Sequence, residues 1–211
     1  MRFRSVWVGL CCAAVCAACL PVSVAAREII ERVLAVVDGS VITLSDAHAA
    51  MRFGFVGGGE ALDVVVDRLI DRRLAMTEID RYAPPEPAAE TIDAALAAIQ
   101  ATFASPEQLQ AALAETGLTM AQLRRHVRDG LRIRAYERER FGYVMQPSEE
   151  EMLTFYRANP AQFTTGGMLR PFDVARADVR AALLEERRSQ LAREWLAGLR
   201  RRANISVLPA R

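Results

Sequence analysis

The chain has 211 residues, 52% of them apolar and 25% charged, with 27 basic against 26 acidic side chains. Such a composition belongs to a globular chain of one domain or a closely packed pair, and it excludes disordered and collagen-like proteins. The near-balanced charge argues against a cationic nucleic-acid binder. Every basic residue is Arg and Lys is absent, which reads as codon bias, since no single site would require it everywhere.

In chain order the first feature is an export signal. Arg2 and Arg4 precede an uninterrupted apolar run from Val6 to Leu20, and Val24-Ala25-Ala26 supplies the small residues that signal peptidase needs. The run falls short of the roughly 20 residues that span a bilayer. Cleavage after Ala26 is the expectation, with a retained signal or a lipidated Cys19 as alternatives. All four cysteines (Cys11, Cys12, Cys16 and Cys19) lie in this segment, so none remains downstream for a disulfide or a thiolate metal site. The protein from Arg27 onward would be periplasmic.

Next, Val33 to Val37 and Val41 to Leu44 flank Asp38-Gly39, the strongest short-range hairpin signal. Ser45-Asp46 reads as a helix N-cap, and the helix dissolves in Gly57-Gly58-Gly59. From Glu60 to Ala83 a helix places Leu62, Val65, Val66, Leu69, Met76, Ile79 and Ala83 on one face. Asp63, Asp67, Asp71 and Glu78 are expected on the other, and Pro84, Pro85 and Pro87 end it. Helices follow at 88–103, 106–115 and 119–142, the last burying Met120, Leu123, Val127, Leu131 and Ala135. Pro147-Ser148-Glu149 opens a short helix through Tyr156. Thr164 to Pro171 reads as a loop. A long helix over 173–203 carries Val179, Leu183, Leu184, Leu191, Trp195 and Leu199 on its core side. The chain then alternates through Asn204-Ile205-Ser206-Val207-Leu208 to Pro209. A lone hairpin is marginal, so this last strand is expected to join the first two. The fold class is therefore mainly α, several helices around a small sheet made by the N-terminal hairpin and the C-terminal strand.

Catalytic chemistry is hard to find. His48 and His126 have no companion ligands at useful spacing, and a zinc site needs three or four. Glu149-Glu150-Glu151 opens a helix, where acids complement the macrodipole. Gly57–Gly59 lacks the Lys of a phosphate loop. Arg124, Arg125, Arg128, Arg132, Arg134, Arg138 and Arg140, like Arg187, Arg188, Arg193 and Arg200 to Arg202, read as solvated faces with acidic partners at i,i+4. These faces could also attract acidic polypeptide segments or anionic lipid headgroups, a peripheral membrane contact. Met51, Phe53, Phe55 and Val56 lie beside the Gly run and suit either an adaptable apolar binding surface or core packing. No cofactor and no metal is expected.

Glu31 to Asp46, directly after a signal peptide, resembles the opening of the SurA family of periplasmic chaperones. Val66 to Leu74 is similar to the helix that follows there. Pro147 to Glu151, Tyr156, Asn159-Pro160 and Phe163 resemble the segment before that family's parvulin prolyl-isomerase domain. Phe172-Asp173-Val174 through Ala203 to Val207 is similar to the helix and strand after it. The resemblance implies a chaperone core in two parts, 27–146 and 147–211, that binds unfolded envelope proteins, notably outer-membrane β-barrels, without ATP. Between Phe163 and Phe172 only eight residues remain, where a domain needs about 50. The parvulin insertion is thus expected to be absent at 164–171, no catalytic residue carries over, and the chain is not expected to be an enzyme. Two other readings stay open: an isomerase-family protein acting with a partner, and an assembly factor dedicated to one envelope protein.

Overall fold

Asp38-Gly39 closes the first hairpin, as its sequence demands. In the computed structural model, which describes residues 31–56 and 61–209, strand β1 (Val33–Val37) pairs antiparallel with β2 (Ser40–Thr43), Val37 opposite Ser40. Both turn residues have positive φ, 47° and 81°, the geometry that matches the twist of a two-residue hairpin. Asp38 also holds the other end of the chain. Its N–H donates to the Asn204 carbonyl at 2.9 Å and its carboxylate accepts the Asn204 N–H at 2.8 Å. Strand β5 (Ile205–Val207) is thereby set antiparallel to β1, Val37 opposite Ile205 and Ala35 opposite Val207. The sheet order is β2-β1-β5. The export signal expected at the N-terminus lies outside the described residues.

Helix α1 (Leu44–Arg52) starts earlier than the sequence suggested. Thr43, not Ser45, is the N-cap: its hydroxyl accepts the Asp46 N–H at 3.2 Å while the Asp46 carboxylate accepts the Thr43 N–H at 2.9 Å. The reciprocal pair requires the acid three residues after the cap, a spacing that Ser45 cannot offer to Asp46. Helix α2 (Leu62–Tyr82) buries Val65, Val66, Ile70, Leu74, Ala75 and Ile79. Leu69 and Met76, expected inside, sit half-buried at the rim, and Ala83 is the exposed left-handed cap. Glu78, expected on the solvent face, is buried and lies 3.3 Å from Arg81. Because α2 packs against the sheet, α1, α5 and the long C-terminal helix, its buried arc is wider than one amphipathic stripe.

Helices α3 (Ala89–Gln100), α4 (Pro106–Thr116) and α5 (Met120–Phe141) match their expected spans within a few residues. Ser105 and Thr119 cap α4 and α5 through their hydroxyls. Leu123 and Val127 enter a core with Phe53, Ile92, Leu96, Leu109 and Leu113. Past Gly130 the buried residues of α5 become Arg132, Tyr136 and Phe141, while Leu131 and Ala135 are only half-buried.

Helix α6 (Glu149–Ala158) begins with a second reciprocal cap, Ser148 with Glu151. A 3-10 turn, Pro160–Phe163, follows. The segment expected to be a loop is a miniature hairpin of β3 (Thr164–Thr165) and β4 (Met168–Leu169). Gly166 and Gly167 supply its turn with φ of 59° and 79°. Two strand residues on each side are too few to show a period. Helix α7 (Phe172–Arg202) then spans 31 residues. Its first turns meet Met152 and Phe163 in a small core, and Leu199 closes the core under the sheet. Leu191, expected inside, is 38% exposed because it lies between these two cores.

The arginines act differently from the expected i,i+4 pattern. Among the described residues several of their ion pairs brace separate helices: Arg124 to Asp93, Arg132 to Asp80 at 2.8 Å, Arg187 to Glu151 at 2.5 Å, and Arg200 to Asp71 at 2.5 Å.

Candidate functional site

The four residues Met51, Phe53, Phe55 and Val56 part company in three dimensions. Phe53 is 5% exposed and packs 5.9 Å from the Phe103 ring, inside the helical core. Val56 is buried in the core beneath the sheet, with Met51 half-buried against it. Phe55 stands between the two cores and touches both. Its ring stacks on His126 at 4.9 Å, and the Arg72 guanidinium lies 6.0 Å from its centroid. Gly57–Gly59 falls outside the described residues.

Phe55 opens onto a cleft of about 530 Å³ bounded by Val56, Ala75, Ile133 and Leu196, with Arg68, Asp71, Arg72 and Glu137 at its margin. A second cleft, about 620 Å³, continues between α5 and α7 past Glu137, Phe141 and Ala192. Glu137 lines both, and burial pushes its carboxyl pKa up, with nearby Arg134 opposing the shift. Trp195 packs below, 5.4 Å from Tyr136 and 5.9 Å from Phe141. Beyond the end of α5, Tyr143 and Met145 are 99% and 83% exposed. The result is a long, shallow, mostly apolar trough with charged edges, suited to extended polypeptide more than to one small substrate.

The other candidates have structural partners. Glu149 meets Arg176 at 2.8 Å, and Glu151 both caps α6 and meets Arg187. His48 is exposed. The His126 pKa is lowered, chiefly by burial and then by the Arg72 charge. No cluster of three or more metal-ligating side chains occurs among the described residues.

Sequence reasoning missed Arg72, Ile133 and Leu196. Arg72 carried a signal: it lies three residues after Leu69 and four before Met76, on the apolar side of its helix. A charge at such a position is either paired or functional. Ile133 and Leu196 carried none, because their role depends on how α5 and α7 cross.

No protein-family model matches the chain, and no curated protein does. Among solved structures, the fold is similar to a chain from work on the virulence factor PEB4 and the periplasmic protein Cj1289 of Campylobacter jejuni, two structurally related SurA-like chaperones. The TM-score is 0.53 at 14% identity, covering 85% of this chain and 100% of that one. The chain therefore has a SurA-like fold. Among the described residues no helix is long and apolar enough to cross a membrane.

Proposed function

We propose that this protein is an ATP-independent periplasmic chaperone that holds unfolded envelope proteins, outer-membrane β-barrels in particular. The observation that carries the reading is the SurA-like arrangement of a three-stranded sheet closed by the C-terminal strand, with an apolar trough along α5 and α7. Unfolded barrel strands alternate apolar and polar residues. A trough with an apolar floor and charged margins accepts many such segments weakly, at about 25 cal/mol per Å² of apolar area buried. Weak binding lets clients leave without an energy source.

Phe55 and Val56 line this surface, while Met51 and Phe53 pack in the cores behind it. We further infer that the chain has no prolyl-isomerase activity, since the eight residues between Phe163 and Phe172 are taken up by the β3–β4 hairpin and its flanks. Export by a leader cleaved near Ala26 accounts for the periplasmic location.

The test is an aggregation assay with an unfolded β-barrel protein, without ATP. Protection is expected at modest molar excess, and the Phe55→Ser, Leu196→Ser double variant should protect less while Trp195 fluorescence reports an intact fold. Failure of the unaltered protein to protect at several-fold excess refutes the holdase. Acceleration of a proline-limited refolding reaction, which takes tens of seconds uncatalysed, refutes the non-enzymatic reading.

A further inference from the structure

A further cavity of about 360 Å³ lies between β2, α1, α2 and α5 and shares Phe55 and Arg72 with the cleft of about 530 Å³. Its apolar wall is Ile42, Ala50, Phe55, Leu69 and Met76; its polar wall is dominated by Arg72, Arg73, Arg128 and Arg132. The acids around it are already engaged. Asp46 accepts from Thr43 in the α1 cap, Asp129 receives Arg128 at 2.7 Å, and Asp80 receives Arg132 at 2.8 Å. Glu86 stands 3.4 Å from Arg132 and 3.9 Å from Arg128.

Two of the arginines retain unused donors. The side chain of Arg132 is 8% exposed, and its buried Nε has no hydrogen-bond acceptor: Glu86 is near it but out of line. Arg72 makes one hydrogen bond among the described residues, from Nη2 to the His126 carbonyl at 2.6 Å. That bond clasps α2 to α5, but a guanidinium has five N–H donors, and no carboxylate lies within ion-pair distance of Arg72 among the described residues. Burial lowers its pKa, with the Asp129 charge opposing the shift.

From these donors and the adjoining apolar wall, we infer that the cavity binds a carboxylate carried beside an apolar group. The carboxylate would take the free N–H groups of Arg72, with Arg73 at the mouth, and the apolar group would lie on Leu69, Met76 and Phe55. Four arginines face three aspartates on the wall, with Glu86 beside it, so affinity comes from the free donors and not from a large positive potential. A clasp between two helices requires neither the second arginine at the mouth nor the open apolar wall. Phe55 and Arg72 also line the neighbouring cleft, so the cavity adjoins the trough; the inference still stands apart from the chaperone reading, because it is tested with small acids and no unfolded client.

Titration calorimetry with N-acetyl-phenylalanine, its amide and 3-phenylpropionate tests it. At least one of the two acids should bind, and the amide should bind about tenfold more weakly or worse, the value of a charge-assisted hydrogen bond. Equal affinity of both acids identifies a free organic acid as a sufficient ligand; preference for N-acetyl-phenylalanine identifies a chain terminus. Either supports the site. Arg72→Gln should lower the affinity about tenfold or more. If that variant does not fold, the Arg73→Gln, Met76→Ala variant, which leaves the clasp intact, should bind more weakly than the unaltered protein. Binding of neither acid, equal binding of acid and amide, or unchanged affinity in a folded variant overturns the inference.

Discussion

The two ends of α7 sit in unlike surroundings. Its C-terminal turns enter the main body, where Leu199 joins Leu34, Val37, Ile42, Val65 and Ile70 in one core. Its N-terminal turns meet only α6, the 3-10 turn and the small hairpin, around four buried residues: Met152, Phe163, Ala175 and Val179. Aromatic contacts support that small core, Tyr156 lying 5.5 Å from Phe163 and 5.6 Å from Phe172. Two cores of such different size on one continuous helix should differ in local stability, since opening free energy tracks the apolar area each unit buries.

The largest effect should come from removing residues 204–211. Strand β1 would become an edge, the Asp38–Asn204 pair and the Leu208 N–H bond to Leu34 would vanish, and Ile205 would leave the core. The thermal midpoint is expected to drop by about 10 °C or more; an unchanged midpoint would show that β5 is decoration. Next come matched core truncations. Ile70→Ala should cost about 2–5 kcal/mol and Phe163→Ala about 3–5 kcal/mol. Hydrogen exchange should distinguish them: the first accelerates amides throughout, the second mainly those of 149–185. Equal spread in both variants would mean that the two cores unfold as one.

A smaller effect is the pH response of His126. Its folded pKa lies below the ordinary 6.5 because of burial and the neighbouring Arg72. The unfolded chain then takes up the proton first, so stability should fall as pH drops below about 6.5 and level off beneath the folded pKa. Subtracting the curve of His126→Gln isolates this slope, since the buried Glu137 contributes equally to both proteins. A flat difference would show that the imidazole on Phe55 is freely hydrated. The smallest effect belongs to the exposed pair Arg193–Glu186, at 3.1 Å with side chains 62% and 57% exposed. Arg193→Ala should change stability by under about 1 kcal/mol.

Much of the architecture was legible in the linear chain. Asp38-Gly39 announced its hairpin, Ser105-Pro106 and Thr119 announced their helices, and the alternation from Asn204 to Leu208 announced a strand that needed partners. These are local signals, because turn geometry and caps depend on a few neighbouring residues. Caps still misled once: Thr43 won over Ser45 because the acid at Asp46 answers it at the right spacing. The candidate site was less legible. Met51, Phe53, Phe55 and Val56 are adjacent in sequence, yet Phe53 and Val56 face two different cores, and of the four Phe55 and Val56 reach the cleft.

What the sequence by itself determined is the helical class, the order of elements and the closing of a small sheet by the two chain ends. Period, turn residues and caps specify these within one or two turns of backbone. The tertiary structure alone decided which charges are solvated and which are buried. Glu78 and Arg132 lie on helices whose second faces are covered, and Arg72 is turned inward by its clasp on the His126 carbonyl. Those outcomes depend on how α2, α5 and α7 cross, and crossing is set by packing between residues far apart in the chain, which no local pattern records.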